Sequence, residues 1–192
     1  MTDIEKHDKI ILLASDKAFH SFGFSYIFDN RIKLYLRNIN ALKFFGIIVP
    51  LVIGAIALGY GQNPNVLLVA IIIGTPIIIL QLAISALSIV YKWDEELAYS
   101  FEANYDYNNF YEEFNKLYKF PSQDIYTLEK NFEILQTKLN NRETQNSKHN
   151  LTEKELRKGM RYSLREHKKE CVGCKQTPID MTSTDCGVCG KF

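Results

Sequence analysis

The hydrophobic pattern of this chain is dominated by one stretch, Phe44 to Tyr91, which holds no Asp, Glu, Lys or Arg between Lys43 and Lys92. A polar break at Gly61-Gln62-Asn63-Pro64-Asn65 divides it into FFGIIVPLVIGAIALGY (44–60) and VLLVAIIIGTPIIILQLAISALSIVY (66–91). A bilayer core takes about 20 apolar helical residues, with about 17 to 25 tolerated, and both pieces meet that length. A soluble hairpin would keep a polar face for water on each helix, and neither piece does. The pattern predicts a two-transmembrane hairpin.

The flanks read as helices. Residues 3–22 mix charges with a short apolar run, and Gly23 and Ser25 offer a break. Asp29-Asn30 can then cap a second helix. That helix carries Ile32, Tyr35, Leu36, Ile39 and Leu42 at helical spacing and Arg31, Lys33 and Arg37 elsewhere, which suits either a headgroup layer or packing on other helices. Beyond the second span, Tyr107, Phe110, Tyr111, Phe114, Leu117 and Tyr118 form a helical packing stripe. Pro121-Ser122 punctuates, with Ser122 as a cap, and Ile125, Leu128, Phe132, Leu135 and Leu139 alternate by three and four. That seam, just over two heptads, raises homo-oligomerisation. Residues 140–150 are wholly polar and read as a linker, and Thr152 with Glu155 forms a capping box for a last helix. The expected organisation is therefore 1–43, cytoplasmic N-terminal helices; 44–91, the hairpin; 92–140, cytoplasmic helices; 141–150, linker; and 151–192, a basic helix with a cysteine module.

Within the hairpin, Pro50 and Pro76 stand at similar depth and are either a pair of tolerated bends or a joint. Gly74, Gln81, Ser85, Ser88 and Lys92 share one face of the second span. In lipid such a face needs the first span, a neighbouring subunit or a water-filled pore against it. The first is eased by Gly46, Gly54 and Gly59. Gln81, Ser85 and Ser88 are the candidate pore or oligomer residues. Tyr60, Tyr91 and Trp93 mark the two interfaces.

Net charge is +1, which implies no general attraction to nucleic acid. Local charge is more telling: Arg31, Lys33, Arg37 and Lys43 crowd the approach to the first span, Lys92 follows the second, and the loop is uncharged. By the positive-inside rule both arms are cytoplasmic. The apolar run also begins too late for a cleaved signal peptide. On the last helix Lys154, Arg157, Lys158, Arg161, Arg165 and Lys168 fall on one face. That face is either solvated or a phosphate or lipid contact through Arg157, Arg161 and Arg165.

All four cysteines lie in the last 22 residues, as Cys171/Cys174 and Cys186/Cys189 with eleven residues between the pairs. Two such turns can complete a thiolate tetrahedron about structural Zn2+, in a minimal zinc-ribbon-like module, and a reducing cytoplasm favours metal over disulfide. A redox dithiol pair or an iron–sulfur site are the alternatives. Gly173, Gly187 and Gly190 would relieve the tight turns, and Lys168, Lys169, Lys175 and Lys191 would offset the excess negative charge. Four thiolates leave no open coordination position, and no nucleophile–base constellation or phosphate-cradling loop is present in the sequence. An enzyme is not expected.

The tail, with CVGC, an eleven-residue spacer, CGVC and a terminal GKF, resembles the motif of a family of mobile-element proteins with a CxxC-x11-CxxC signature. The plan of helical lead-in, tight two-span hairpin and cytoplasmic helices resembles the bacterial SLATT two-transmembrane effector domains. These resemblances imply Cys171, Cys174, Cys186 and Cys189 as metal ligands and a bacterial inner-membrane location. They also imply an oligomeric pore-forming or membrane-disrupting effector of a defence or conflict system, with nucleotide-signalling or mobile-element partners. The alternative is a membrane-anchored adaptor whose zinc module binds a protein or nucleic acid. The expected fold class is an all-α membrane protein.

Overall fold

The computed structural model describes residues 2–60 and 63–192, so Gly61 and Gln62 of the expected turn lie outside the described residues. Five α-helices follow one another: α1 (Asp3–Tyr60), α2 (Pro64–Val90), α3 (Trp93–Lys119), α4 (Ile125–Asn146) and α5 (Glu153–Glu166), with a short 3-10 turn, Ser147–His149, before α5. Among the described residues there is no strand, so the fold is all-α. The chain divides into two compact units, Ile32–Ala98 and the combination of Met1–Arg31 with Tyr99–Phe192.

Where the composition offered a break at Gly23 and Ser25, α1 runs through without one. Gly23 serves a close crossing instead. A Cβ there would meet Ser163 Oγ at 2.8 Å and the carbonyl oxygen of Gly159 at 3.0 Å, so the glycine lets α5 approach the backbone of α1. Ser163 Oγ donates to the Phe19 carbonyl across the same crossing, at 3.0 Å. Asn30, expected near a cap, donates its amide to the Tyr26 carbonyl within the helix.

In the unit formed by both chain ends, Ala14, Ala18 and Phe28 of α1 pack with Ala103, Tyr107, Phe110 and Phe114 of α3 and Leu135 and Leu139 of α4. The aromatic stripe of α3 is thus the core. Tyr107 is fully buried, with its ring stacked on Phe24 and Phe28. Its hydroxyl accepts from Asn146 Nδ2 at 2.6 Å, and Asn146 Oδ1 in turn accepts from the Tyr99 hydroxyl. Burial pushes the Tyr107 phenol well above its ordinary value.

These contacts correct the expected linker. The stretch 141–150 is helical to Asn146, and two of its polar residues, Arg142 and Asn146, are buried. Arg142 is 3% exposed, with Nε donating to Asp106 at 2.7 Å and a terminal nitrogen donating to Glu102 at 2.9 Å. Such a buried cation is tolerated because carboxylates on α3 pair with it. Two further expectations change with α4. Its N-cap is Asp124, which accepts from the Thr127 N–H, and not Ser122. The seam through Leu128, Leu135 and Leu139 is buried in this chain's own core, so it is not left over for a second copy. The capping box of α5 forms as expected, and Glu155 also accepts the Arg31 fork at 2.6 and 2.9 Å.

In the unit Ile32–Ala98, the buried or half-buried positions include Ile32, Tyr35, Ile39, Leu42, Gly46, Val49, Ile53 and Ile56 on α1 and Ala70, Gly74, Ile78, Gln81, Ser85 and Ser88 on α2. Both sets alternate by threes and fours, the mark of a left-handed antiparallel pair. Two contacts set the register. A Cβ on Gly46 would stand 3.0 Å from Gln81 Nε2, and one on Gly74 would stand 2.7 Å from Ile53 Cδ1. Pro50 and Pro76 fall at nearly the same level in that register, inside uninterrupted helices and on their exposed sides. Both helices are long and apolar enough to cross a membrane; none of the most apolar window of α1 and 6% of that of α2 is buried.

The α1–α5 crossing generates a prediction. Gly159→Val would place a side chain within 2.8 Å of the Gly23 carbonyl oxygen, where backbone must move. The expected cost is about 1–3 kcal/mol, read as a lowered thermal midpoint of the detergent-solubilised chain, with Lys158→Ala as the neutral control.

Candidate metal centre

The cysteine module is launched by the end of α5. Lys169 N–H donates to the Leu164 carbonyl at 2.9 Å and Lys168 N–H to the Arg165 carbonyl at 3.2 Å, with Lys168 at φ 51°. This is a Schellman-type stop with lysine in the left-handed position, and it turns the chain back toward α1. The first cysteine turn closes through Lys175 N–H to the Cys171 carbonyl, 2.8 Å, and Cys171 N–H to the Gln176 carbonyl, 3.0 Å. The second closes through Gly190 N–H to the Cys186 carbonyl, 3.0 Å, and Lys191 N–H to the Thr184 carbonyl, 2.7 Å.

The expected role of the glycines is corrected here. No glycine among the described residues takes a positive φ; Lys175 at 56° and Lys191 at 57° do so instead. Gly190 is required by space, because a Cβ there would fall 2.2 Å from the Thr184 carbonyl oxygen. Between the two cysteine turns the chain is a loop with no strand.

The two turns bring all four sulfur atoms within 4.8 Å of one another. One sulfur of each turn faces one of the other, Cys171 to Cys186 and Cys174 to Cys189, both at 3.8 Å. A disulfide requires about 2.05 Å, so these are four free thiols converging on one point. Cys171 and Cys189 are buried and Cys174 and Cys186 half-buried. Backbone N–H groups of Cys189 and Val188 point at the Cys186 sulfur and draw its thiol down to about 6, while burial pushes the Cys189 thiol up.

The seat of the cluster is built by distant residues. Phe19 of α1 and Leu164 of α5 pack against Cys171 and Cys189, with Met160 and Val188 at the margin. Lys169 Nζ sits 4.9 Å over the Phe19 ring. His167 packs edge-on to Phe19, Phe22 and Tyr111, and its Nδ1 lies 3.1 Å from the Ser163 carbonyl oxygen, away from the sulfur set.

The three arginines weighed as either a solvated face or a phosphate or lipid contact are separated. Arg157 pairs with Glu153, and Arg165 pairs with Glu166 and lies over Tyr162. Arg161 is turned inward, 6% exposed, among carbonyls of the cysteine module. Its Nε donates to the Asp180 carbonyl at 2.8 Å and a terminal nitrogen to the Cys189 carbonyl at 3.3 Å. Gln81, Ser85 and Ser88 belong to the other unit. There Gln81 lies against Gly46 and Ser88 Oγ donates to the Ser85 carbonyl at 2.8 Å. Sequence reasoning missed Phe19 and the inward turn of Arg161. The available signal was that α5 offers only Leu156, Met160 and Leu164 as an apolar face, too little to seat a helix unaided.

Fold and site together define an all-helical protein with two membrane-length apolar helices and a four-cysteine cluster able to hold a metal ion. The chain belongs to the family described as mobilome CxxCx(11)CxxC protein, whose profile matches residues 13–192. No curated protein and no solved structure matches it.

Because the sulfur cluster holds the tail against Phe19, Cys189→Ser is expected to abolish stoichiometric metal binding. It should also open residues 168–192 to limited proteolysis while the helical core persists. Mass spectrometry of the fragments checks this.

Proposed function

We propose that the chain is a two-span membrane protein with both arms cytoplasmic. Its hairpin anchors a non-enzymatic helical module, held by structural zinc, that binds a protein or nucleic-acid partner for a mobile element. The observation that carries the membrane reading is the exposure of the apolar windows. Leu58, Ile72 and Leu80 are 92%, 61% and 62% exposed, a contiguous surface far beyond what a soluble monomer leaves in water. Arg31, Lys33, Arg37, Lys43 and Lys92 at one end of the pair support the orientation.

Zinc is supported by the sulfur spacing. Thiolates at about 2.3 Å from a tetrahedral ion lie about 3.8 Å apart, the separation of both facing pairs. Cys171, Cys174, Cys186 and Cys189 would hold the ion, which when bound supplies a cross-link between the two turns. Four thiolates leave no place for a reacting water, which supports a structural role.

A second reading is an oligomeric effector of a bacterial defence system that breaches the inner membrane, after the SLATT-like plan. The line Gln81, Ser85 and Ser88 favours it, since polar side chains in a span are costly without purpose. In the hairpin Gln81 of that line lies against Gly46 of the first span. Conduction would therefore need several hairpins to exchange their internal contacts for contacts around a pore. The ranking follows from this: tethering needs no such rearrangement.

Three measurements separate the readings. Alkaline phosphatase inserted after Asn65 should be active and a fluorescent protein after Phe192 bright; the reverse pattern overturns the topology. Elemental analysis should find about one zinc per chain. Membrane potential in expressing bacteria should stay unchanged. A depolarisation that Gln81→Leu removes would replace the adaptor with the effector.

A further inference from the structure

We infer that Arg161 is the cation that balances the four-thiolate metal centre, acting as a fixed donor to the Cys189 side of the cluster. This rests on the metal reading above. Four thiolates around a divalent ion carry a net charge of about −2, and two of the four are buried, so the charge needs compensation near the sulfur atoms. The lysines adjacent in sequence are poorly placed for it. Lys168, Lys175 and Lys191 are exposed, where water and salt screen them, and Lys169 lies over the Phe19 ring.

Arg161 differs on each count. It is buried, and its guanidinium approaches the cluster with one nitrogen 4.0 Å from Cys189 Sγ and 3.3 Å from the Cys189 carbonyl oxygen. The rest of the planar fork is held at two further points: Nε donates to the Asp180 carbonyl, 2.8 Å, and the far nitrogen to Asp180 Oδ1, 3.3 Å. Asp180 is itself held by the Thr182 N–H at 2.9 Å. Asp180 thereby gives Arg161 a partner before metal arrives, so the cation is not stranded in the thiol form. A lysine would deliver the charge to one point and could not hold the 180 loop and the second cysteine turn together.

Outer residues that orient or balance metal ligands typically change affinity about 10–100-fold when removed. The full chain in detergent is loaded with Co2+, followed by its thiolate-to-cobalt charge-transfer band, and titrated with a chelator of known affinity. Arg161→Met is expected to weaken binding about 10–100-fold and Arg161→Lys about 3–10-fold. Lys158→Met, on the same helix, should match the parent. Equal affinity in the parent and Arg161→Met overturns the role of Arg161 while leaving the metal site standing. Absence of the band in the parent overturns the metal reading itself. If Arg161→Met fails to fold by circular dichroism, Arg161→Gln, which removes the charge but keeps a polar head, decides: an unchanged affinity there overturns the inference.

Discussion

The rest of the structure depends on α1, which gives a packing face to each of the two units: Ala14, Ala18, Ser21, Ser25 and Phe28 are buried in the first, and Ile32, Tyr35, Ile39, Leu42, Gly46, Val49, Ile53 and Ile56 are buried or half-buried in the second. The first set is made of small and polar residues with one phenylalanine, the second of branched apolar residues with one tyrosine and one glycine. In the first part, aromatic side chains arrive from α3 and need small neighbours. In the second, one apolar helix meets another, and Gly46 and Gly74 admit the facing side chains of Gln81 and Ile53. Gly23 and Pro50 are both accommodated inside the helix.

The other organising feature is electrostatic. Two buried arginines and one half-buried arginine are met by groups from a different element: Arg31 by Glu155 and the carbonyls of His149 and Asn150, Arg142 by Glu102 and Asp106, Arg161 by Asp180 and Cys189. Three arginines thus tie α1, α3, α4, α5 and the cysteine turns into one unit. Arginine suits this work because a fork can bridge several acceptors at fixed angles. A core made of small alanines and a few aromatic rings gains directionality from such links.

Much of this was legible in the sequence. The charge-free run, the capping box at Thr152 and Glu155, the aromatic stripe of α3 and the convergence of four cysteines follow from period, length and spacing. What misled was polarity read as exposure. The stretch 140–150 carries no apolar residue, yet Arg142 and Asn146 are interior because their partners lie about forty residues earlier on α3, a separation no local pattern reveals. Gly23 looked like a helix stop for the same reason: its meaning depends on Gly159. Arg161 shares a helical face with exposed basic residues, and only the path of the chain after Lys168 shows that the cysteine turns fold over it. Local signals were sound where the partner was a neighbour in sequence.

The seating of the cysteine turns on Phe19 carries a consequence for the order of events at the ribosome. Residues 14–28 emerge first, yet the groups that cover them, on α3, α4, α5 and the cysteine turns, follow both membrane-length helices in the chain. Through most of synthesis this amphipathic segment has no completed partner. Its unit closes only when the second cysteine turn has been made, after both apolar helices have been synthesised.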